Sequence, residues 1–153
     1  EVDETLPYDI EPDKAVEYLS KIKAQPFRKS GKIVIGADTV VAIDGKILGK
    51  PKNEKDAFLM LKNLSGKEHS VFTGVTVIKN DKEVTFSVQT KVKFFELDDR
   101  EIEDYISSGE PFDKAGAYGI QGKGSLFVEK IDGDYFNVVG LPISRLARQL
   151  KSI

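Results

Sequence analysis

The chain has 153 residues, 40% of them hydrophobic, which is the size of one ordinary domain with a core of its own. It has no cysteine and no apolar run near the roughly 20 residues that a membrane helix needs, which excludes disulfides and a transmembrane helix. The formal net charge of -2 argues against a nucleic-acid polymer as partner, because such binding depends on clustered Lys and Arg. We expect a soluble, cytoplasmic, single-domain protein with no membrane partner, for which one bound nucleotide remains compatible.

The first half of the chain shows clear periodic segments. Apolar residues repeat at helical spacing over residues 12–24, with Pro12 suited to the first turn. Residues 33–43 are apolar on both faces apart from Asp38 and Thr39, which predicts a central strand covered on both sides. Asp44-Gly45 then predicts a hairpin back through Ile47-Leu48. Asn53 is placed to cap a helix that ends near Gly66.

The second half continues the alternation of strands and helices. Its predicted elements are a strand pair over residues 70–78 and 83–95, a helix opened by the capping pair Asp98 and Glu101 and closed by Gly109, a strand over residues 126–131, and a helix over residues 142–151. Helices interleave with strands, but hairpins are frequent. The pattern predicts an α/β fold with a twisted, mixed β-sheet flanked by helices.

Asp38 is an ionisable group inside an apolar strand, and its charge needs compensation there. Three interpretations stay open from the sequence. It can be a structural acid satisfied by backbone donors, a metal ligand, or a general base acting on water.

Lys50 lies between Gly49 and Pro51, just beyond the predicted hairpin from Asp38. Proline restricts the backbone of the residue before it, so the side chain of Lys50 is aimed more reproducibly than that of a typical surface lysine. A compact ammonium suits a phosphate oxygen. The alternative is a solvated lysine in a turn.

A glycine-rich stretch follows at residues 113–124 and carries Lys114, Tyr118 and Gln121. Such glycine density allows backbone amides to meet a ligand, although the spacing matches neither a Walker A sequence nor a dinucleotide fingerprint. Gln121 can read a base edge through its paired donor and acceptor, and Lys114 can meet an anion. A tight structural turn is the competing interpretation.

Other candidates carry less weight. His69, the only histidine, is interpreted as a surface or cross-strand residue rather than a catalytic one. The acidic residues Glu1, Asp3 and Glu4 form either a solvated end or a source of an oxygen ligand for Mg²⁺. No cysteine, no histidine cluster and no nucleophile elbow is present, so acyl transfer is poorly supported.

Taken together, these stretches resemble the Maf family of nucleoside triphosphate pyrophosphatases over nearly the whole chain. The shared segments, in order, are V-D-E at residues 2–4, Lys23-Ala24, GADTVV at 36–41, D-G-x-x-L-G-K-P at 44–51, L-x-x-L-S-G at 61–66, T-G-V at 73–75, S-G-E-P at 108–111, DKAGAYGIQG at 113–122 and G-D-Y-x-x-V-x-G-L-P at 133–142.

The resemblance implies an α/β fold similar to the inosine triphosphate pyrophosphatases, with two lobes around a central cleft and a homodimeric state. It implies metal-dependent cleavage of a nucleoside triphosphate to the monophosphate and pyrophosphate, with Mg²⁺ or Mn²⁺. By resemblance, Asp38 matches the catalytic acid, and Glu4, Lys23 and Lys50 match further active-site positions. We expect Glu4 and Asp38 to be the metal ligands.

Thr39 and Gln121 match positions that select the base, and this pair resembles the branch that acts on dTTP and UTP. An amide can donate to and accept from the carbonyl and imide edge of a pyrimidine. The family's N-terminal strand and its S-x-S-P-R-R phosphate-binding segment, expected before the acidic stretch, do not occur in this sequence. We therefore expect that activity depends on arginines outside these residues.

The working hypothesis is hydrolysis of dTTP and UTP. Two alternatives stay open: a nucleotide-binding or protein-interaction module without turnover, and a housecleaning enzyme for modified nucleotides.

Overall fold

The computed structural model describes all of residues 1–153. In chain order its elements are α1 (Pro12–Ala24), a 3₁₀ helix (Gln25–Ser30), β1 (Val34–Ile43), β2 (Lys46–Leu48), α2 (Glu54–Leu64), β3 (Glu68–Lys79), β4 (Lys82–Phe94), α3 (Asp99–Ser107), three 3₁₀ turns (Glu110–Asp113, Ala115–Ala117 and Lys123–Phe127), β5 (Val128–Asp132), α4 (Tyr135–Val139) and α5 (Ile143–Ser152). The α/β class predicted from the sequence is confirmed. No helix combines the length and the apolar character that crossing a bilayer requires.

The five strands form one sheet in the order β2-β1-β3-β4-β5, and each neighbouring pair runs antiparallel. The predicted mixed sheet is therefore wrong. Two-residue hairpins join β1 to β2 and β3 to β4 and reverse the chain each time. The connection through α2 then leads into β3 on the other side of β1, again antiparallel. A parallel neighbour would need a crossover that this chain order does not provide.

Local signals placed most elements correctly. Asn53 accepts a hydrogen bond from the Asp56 N–H at 2.8 Å and caps α2. Asp98 and Glu101 form both hydrogen bonds of a capping box at α3. The last strand begins at Val128, later than predicted, because Lys123–Phe127 is a 3₁₀ turn.

Helices cover both faces of the sheet, and residue parity decides which face each side chain meets. The even-numbered residues of β1 and β3 meet α1, as the hydroxyl contact of Ser20 with Thr76 at 2.9 Å shows. The odd-numbered ones face α2, α4 and α5. Val41 and Val71 pack with Leu61 and Phe94, while Val75 and Val77 pack with Leu146 of α5.

Two glycines set how closely α1 approaches the sheet. A Cβ at Gly74 would lie 2.1 Å from the Val16 carbonyl oxygen, and one at Gly36 would lie 2.4 Å from that of Ser20. Both contacts are with helix backbone, which cannot rotate away as a side chain does. The close approach of α1 therefore requires glycine at both positions.

Only part of β1 has a strand on each side. Its pairing with β2 covers residues 41–43, whereas its pairing with β3 extends from Val34 to Ala42. Residues 34–40 thus have a neighbouring strand on one side only. Asp38 and Thr39 lie within this open edge.

His69 is a cross-strand residue opposite Val92, and the surface alternative for it is wrong. It is 2% exposed, packs edge-on against Phe94, and its Nε2 lies 2.6 Å from the Tyr118 hydroxyl. Burial lowers the pKa of His69 from its ordinary value of 6.5 to about 4.

This burial predicts an acid sensitivity that resides in one side chain. Between about pH 6.5 and 4 the unfolded chain binds a proton at His69 that the folded chain does not, so the free energy of unfolding falls on acidification. We expect the wild type to lose about 2 kcal/mol more than His69→Gln between pH 7.5 and 5. Urea titrations of both proteins at the two pH values measure this difference, and equal losses would contradict it.

Candidate active site

One group of predicted residues lies on the α1 face of the sheet. Lys23 is in the last turn of α1, Asp38 is in β1, and Glu4 is in the extended segment before the helix. The Lys23 ammonium donates to Asp38 Oδ1 and lies 3.6 Å from Glu4 Oε1. The Lys23 ammonium therefore bridges two carboxylates. Glu4 and Asp38 are called the acidic pair.

The pKa of Lys23 reports on that environment. Partial burial opposes its charge, but the hydrogen bond and charge of Asp38, together with Glu4, outweigh burial and raise the pKa above the ordinary value. Lys23 thus stays protonated at neutral pH. The structural interpretation of Asp38, in which backbone donors satisfy it, receives no support from its contacts, because its partner is a side-chain ammonium.

The acidic pair suits a divalent cation that substrate oxygens also bind. Carboxylate oxygens are the donors that Mg²⁺ and Mn²⁺ prefer, and Mg²⁺ commonly takes one or two carboxylates together with phosphates and water. No group of three or more His, Cys, Asp or Glu side chains gathers anywhere in residues 1–153. The donor set therefore fits a metal shared with a phosphorylated ligand, not an all-protein cage.

A second group lies in a cavity of about 620 Å³ on the opposite face of the sheet. Thr39, Lys50, Lys114 and Gln121 all line it, and α4 contributes Val138 to one wall. Side chains alternate along β1, so Asp38 and Thr39 point to opposite faces although they are neighbours in sequence. The predicted site residues thus form two clusters rather than one.

Two lysines border this cavity, and they differ in their contacts. Lys114 donates to Asp113 Oδ1 at 2.8 Å and to the Glu110 carbonyl oxygen at 3.2 Å. Lys114 and, more weakly, Lys50 hold the pKa of Asp113 below its ordinary value. Lys50 is exposed and takes part in none of the ion pairs of the chain. Of the two ammonium groups, that of Lys50 is the one free to meet a ligand.

Strand register explains where Lys50 lies. Val41 is opposite Leu48 in the β1–β2 pair, so two further steps would place Lys50 opposite Thr39. Both residues line the cavity. Lys50 therefore lies at the open edge of β1. At this point of the strand, Asp38 of the first cluster and Thr39 of the second are neighbours in sequence.

The glycine-rich stretch is held by one carboxylate. Glu110 accepts from the Tyr105 hydroxyl at 2.9 Å and from the backbone N–H groups of Lys123 at 3.0 Å and Gly124 at 3.4 Å. The Tyr105 oxygen in turn accepts from the Gly119 N–H at 3.1 Å. These contacts, called the Glu110 clamp, tie both ends of the loop that carries Gln121.

The clamp depends on the charge of Glu110 and on a glycine. Partial burial opposes that charge, but the Lys123 N–H and the Tyr105 hydroxyl outweigh burial and lower the pKa of the carboxyl group. A Cβ at Gly122 would lie 2.4 Å from Glu110 Oε1, so the loop closes on the carboxylate only with glycine there. Glu110 had no role predicted from the sequence, although it lies in the shared segment S-G-E-P.

The fold, the cavity and the acidic pair define an α/β protein with a candidate site for a small polar ligand. The family model described as Maf-like protein matches residues 1–153. The chain belongs to the Maf family, as the sequence analysis predicted.

Relatives at more than half identity carry one name. A dTTP/UTP pyrophosphatase of Bacillus pumilus is 54% identical over 151 residues, which is 97% of this chain and 80% of the relative. One of Carboxydothermus hydrogenoformans is 55% identical over 148 residues, 94% of this chain and 80% of the relative. A third, of Bacillus cereus, is 55% identical over 153 residues, 99% and 80% respectively.

Proposed function

We propose that this chain hydrolyses nucleoside triphosphates, preferably dTTP and UTP, to the monophosphate and pyrophosphate. The observation that supports this most is the pairing of a partly apolar cavity, lined by Thr39 and Gln121, with a lysine-bridged acidic pair across a single strand. A nucleotide has the same division, with a base at one end and a charged triphosphate at the other. The names of the relatives favour the same activity and the same two substrates.

The open edge of β1 is the route by which one ligand would reach both clusters. Along one edge of β1, strand β3 lies between the two clusters. Along the other edge, residues 34–40 have no neighbouring strand. In this arrangement the base enters the cavity beside Thr39 and Gln121. The phosphates then pass Lys50 toward Lys23 and Asp38 on the α1 face.

The chemistry follows from these positions. A water molecule attacks the α-phosphorus, the bond to the oxygen that bridges the α- and β-phosphorus atoms breaks, and pyrophosphate leaves with that oxygen. Asp38 orients the water and accepts its proton. The ammonium groups of Lys23 and Lys50 offset charge that develops on the phosphate oxygens.

Glu4 and Asp38 are the residues that would hold a divalent metal, Mg²⁺ or Mn²⁺. The metal, when bound, supplies positive charge that polarises the phosphoryl group. With only two carboxylates from the chain, its affinity in the absence of nucleotide should be low.

Gln121 and Thr39 would recognise the base. No protein group within hydrogen-bonding distance engages the exposed Gln121 amide, which leaves its donor and its acceptor for a ligand. Lys114 would act as a further substrate contact, although it must first leave Asp113.

The finer architecture implied by the family resemblance is part of the same proposal. It comprises a single domain over residues 1–153, two lobes around a central cleft as in the inosine triphosphate pyrophosphatases, a homodimer and a cytoplasmic location. An experimental structure and analytical ultracentrifugation would test the lobes and the dimer.

The decisive assay is pyrophosphate release from dTTP, UTP, CTP, GTP, ATP and 7-methyl-GTP, with Mg²⁺, with Mn²⁺ and with EDTA. The protein expressed from its complete coding sequence and residues 1–153 alone are assayed side by side. We expect metal-dependent release, with dTTP and UTP preferred. Stoichiometric nucleotide binding without release would overturn the proposal and favour a binding module, and preference for modified pyrimidine triphosphates would favour a housecleaning role.

A further inference from the structure

We infer that Thr73 is a positioning residue for base selection: it fixes the direction of the Thr39 hydroxyl, so that Thr39 presents only an acceptor to the cavity. This inference rests on the proposed function, which it deepens. Thr73 does not line the cavity, and neither the sequence nor the family comparison gave it a role. Its effect is transmitted through Thr39, the cavity residue beside it.

A short chain of hydrogen bonds leads from the cavity into the core. Thr39 and Thr73 are directly opposite in the β1–β3 pair, and their hydroxyl oxygens are 2.8 Å apart. The Thr73 hydroxyl also donates to the backbone carbonyl oxygen of Asn137 at 3.0 Å. Thr73 and Asn137 are both 0% exposed, so solvent does not compete for these groups.

The number of hydroxyl hydrogens decides which threonine donates to the other. A threonine hydroxyl has one hydrogen, and that of Thr73 is used on the Asn137 carbonyl. The 2.8 Å contact must then be a donation from Thr39 to Thr73. In the reverse arrangement Thr73 would donate to Thr39, and the Asn137 carbonyl oxygen would lose its 3.0 Å contact. The other protein acceptor near the Thr39 hydrogen would then be the Gly140 carbonyl oxygen at 3.5 Å, which is at the limit of a useful hydrogen bond. The shorter pair of contacts favours donation away from the cavity.

Asn137, whose carbonyl oxygen is the last acceptor in this series of hydrogen bonds, is held in place by its own side chain. The Asn137 side-chain amide donates to the carbonyl oxygens of Val71 at 3.2 Å and Val88 at 3.0 Å, which fastens α4 to β3 and β4. The carbonyl that receives the Thr73 proton therefore has a fixed position. Since the Asn137 carbonyl oxygen cannot move, the orientation of the Thr73 and Thr39 hydroxyls is set before any ligand arrives.

The consequence is a requirement on the base. With its hydrogen turned inward, the Thr39 oxygen offers only lone pairs to the cavity, and the group facing it must be a donor. The ring nitrogen N3 of uracil and thymine carries a hydrogen, whereas that of cytosine carries a lone pair. The Thr39 oxygen therefore accepts a hydrogen bond from the N3–H of a uracil or thymine base. Cytosine is rejected because its N3 lone pair would face the lone pairs of Thr39.

The test is Thr73→Val, with Thr73→Ser and Thr76→Val as comparisons. Valine preserves the shape but removes the inward acceptor, so the Thr39 hydrogen becomes free to turn toward a ligand. Folding should survive, because the Asn137 carbonyl keeps the Gly140 N–H at 3.1 Å. Thr76 is equally buried in the same strand, but its hydroxyl meets Ser20 and Thr85 on the other face. Serine retains the hydroxyl and should restore the wild-type behaviour.

We expect the ratio of kcat/KM for UTP over CTP to fall roughly tenfold in Thr73→Val, chiefly through a lower KM for CTP, and to stay unchanged in the other two variants. Binding of UMP and CMP by calorimetry gives a second readout that needs no turnover. If no protein releases pyrophosphate, the proposed function fails, and the UMP/CMP affinity ratio alone decides this inference. An unchanged ratio in Thr73→Val, or a loss of selectivity in Thr73→Ser, would overturn it.

Discussion

Replacing Asp38 by Asn is expected to lower kcat for pyrophosphate release by at least about a hundredfold, the scale typical of removing a general base. Asparagine keeps the size of the side chain and can still accept from Lys23, but it neither takes a proton nor carries the charge that a metal needs. The Lys23–Asp38 pair is partly exposed, at 30% and 17%. The free energy of unfolding should therefore change by only about 1–2 kcal/mol.

Steady-state kinetics and urea denaturation of the same preparation separate the structural interpretation of Asp38 from its two functional ones, as a general base or a metal ligand. Asp81→Asn is the matched control, because it makes the same chemical change at the exposed β3–β4 turn, far from the acidic pair along the sheet. Turnover within a few-fold of wild type in Asp38→Asn would exclude Asp38 from the mechanism. A large loss of stability with little loss of kcat would make it a structural acid.

The second large effect concerns the packing of α1. Gly74→Ala should destabilise the fold by about 3 kcal/mol, since the new methyl group would lie 2.1 Å from the Val16 carbonyl oxygen and either the helix or the strand must move. Displacing α1 would also move Lys23 away from Asp38. We therefore expect a lower urea midpoint and a lower kcat in the same variant.

Gly49→Ala provides the comparison for this substitution. A Cβ at Gly49 meets no atom within 4 Å, so the free energy of unfolding should stay within about 0.5 kcal/mol of wild type. Equal urea midpoints for Gly74→Ala and wild type would show that α1 tolerates the methyl group and does not need the close approach.

Much of the fold could be predicted because its signals are local. The limits of α1, the cap at Asn53, the capping box of Asp98 and the Asp44-Gly45 hairpin each depend on residues within one or two turns of chain. The antiparallel order of the sheet could not be read in this way, since it depends on where each connection crosses. Helix α4 was also missed, because five residues rich in aromatic and β-branched side chains carry no helical period.

Some residues of the candidate site could likewise be predicted from the sequence, and others could not. Family resemblance identified Asp38, Lys23 and Glu4, and the structure shows Lys23 in contact with both carboxylates. The placement of Thr39 on the face opposite Asp38 follows from strand alternation and could have been predicted once the strand was recognised. The contacts of Glu110 and Thr73 could not, since hydroxyls and carboxylates with these roles have no sequence spacing of their own.

The Glu110 clamp bears on the entropy of ligand binding. Its partners lie within 14 residues of Glu110, and each contact forms between groups of the chain itself. The loop that carries Gln121 is therefore ordered before a nucleotide arrives, and binding costs little conformational freedom there. Association should follow a single fast phase that scales with nucleotide concentration, without the slower step that closure of a mobile loop would add.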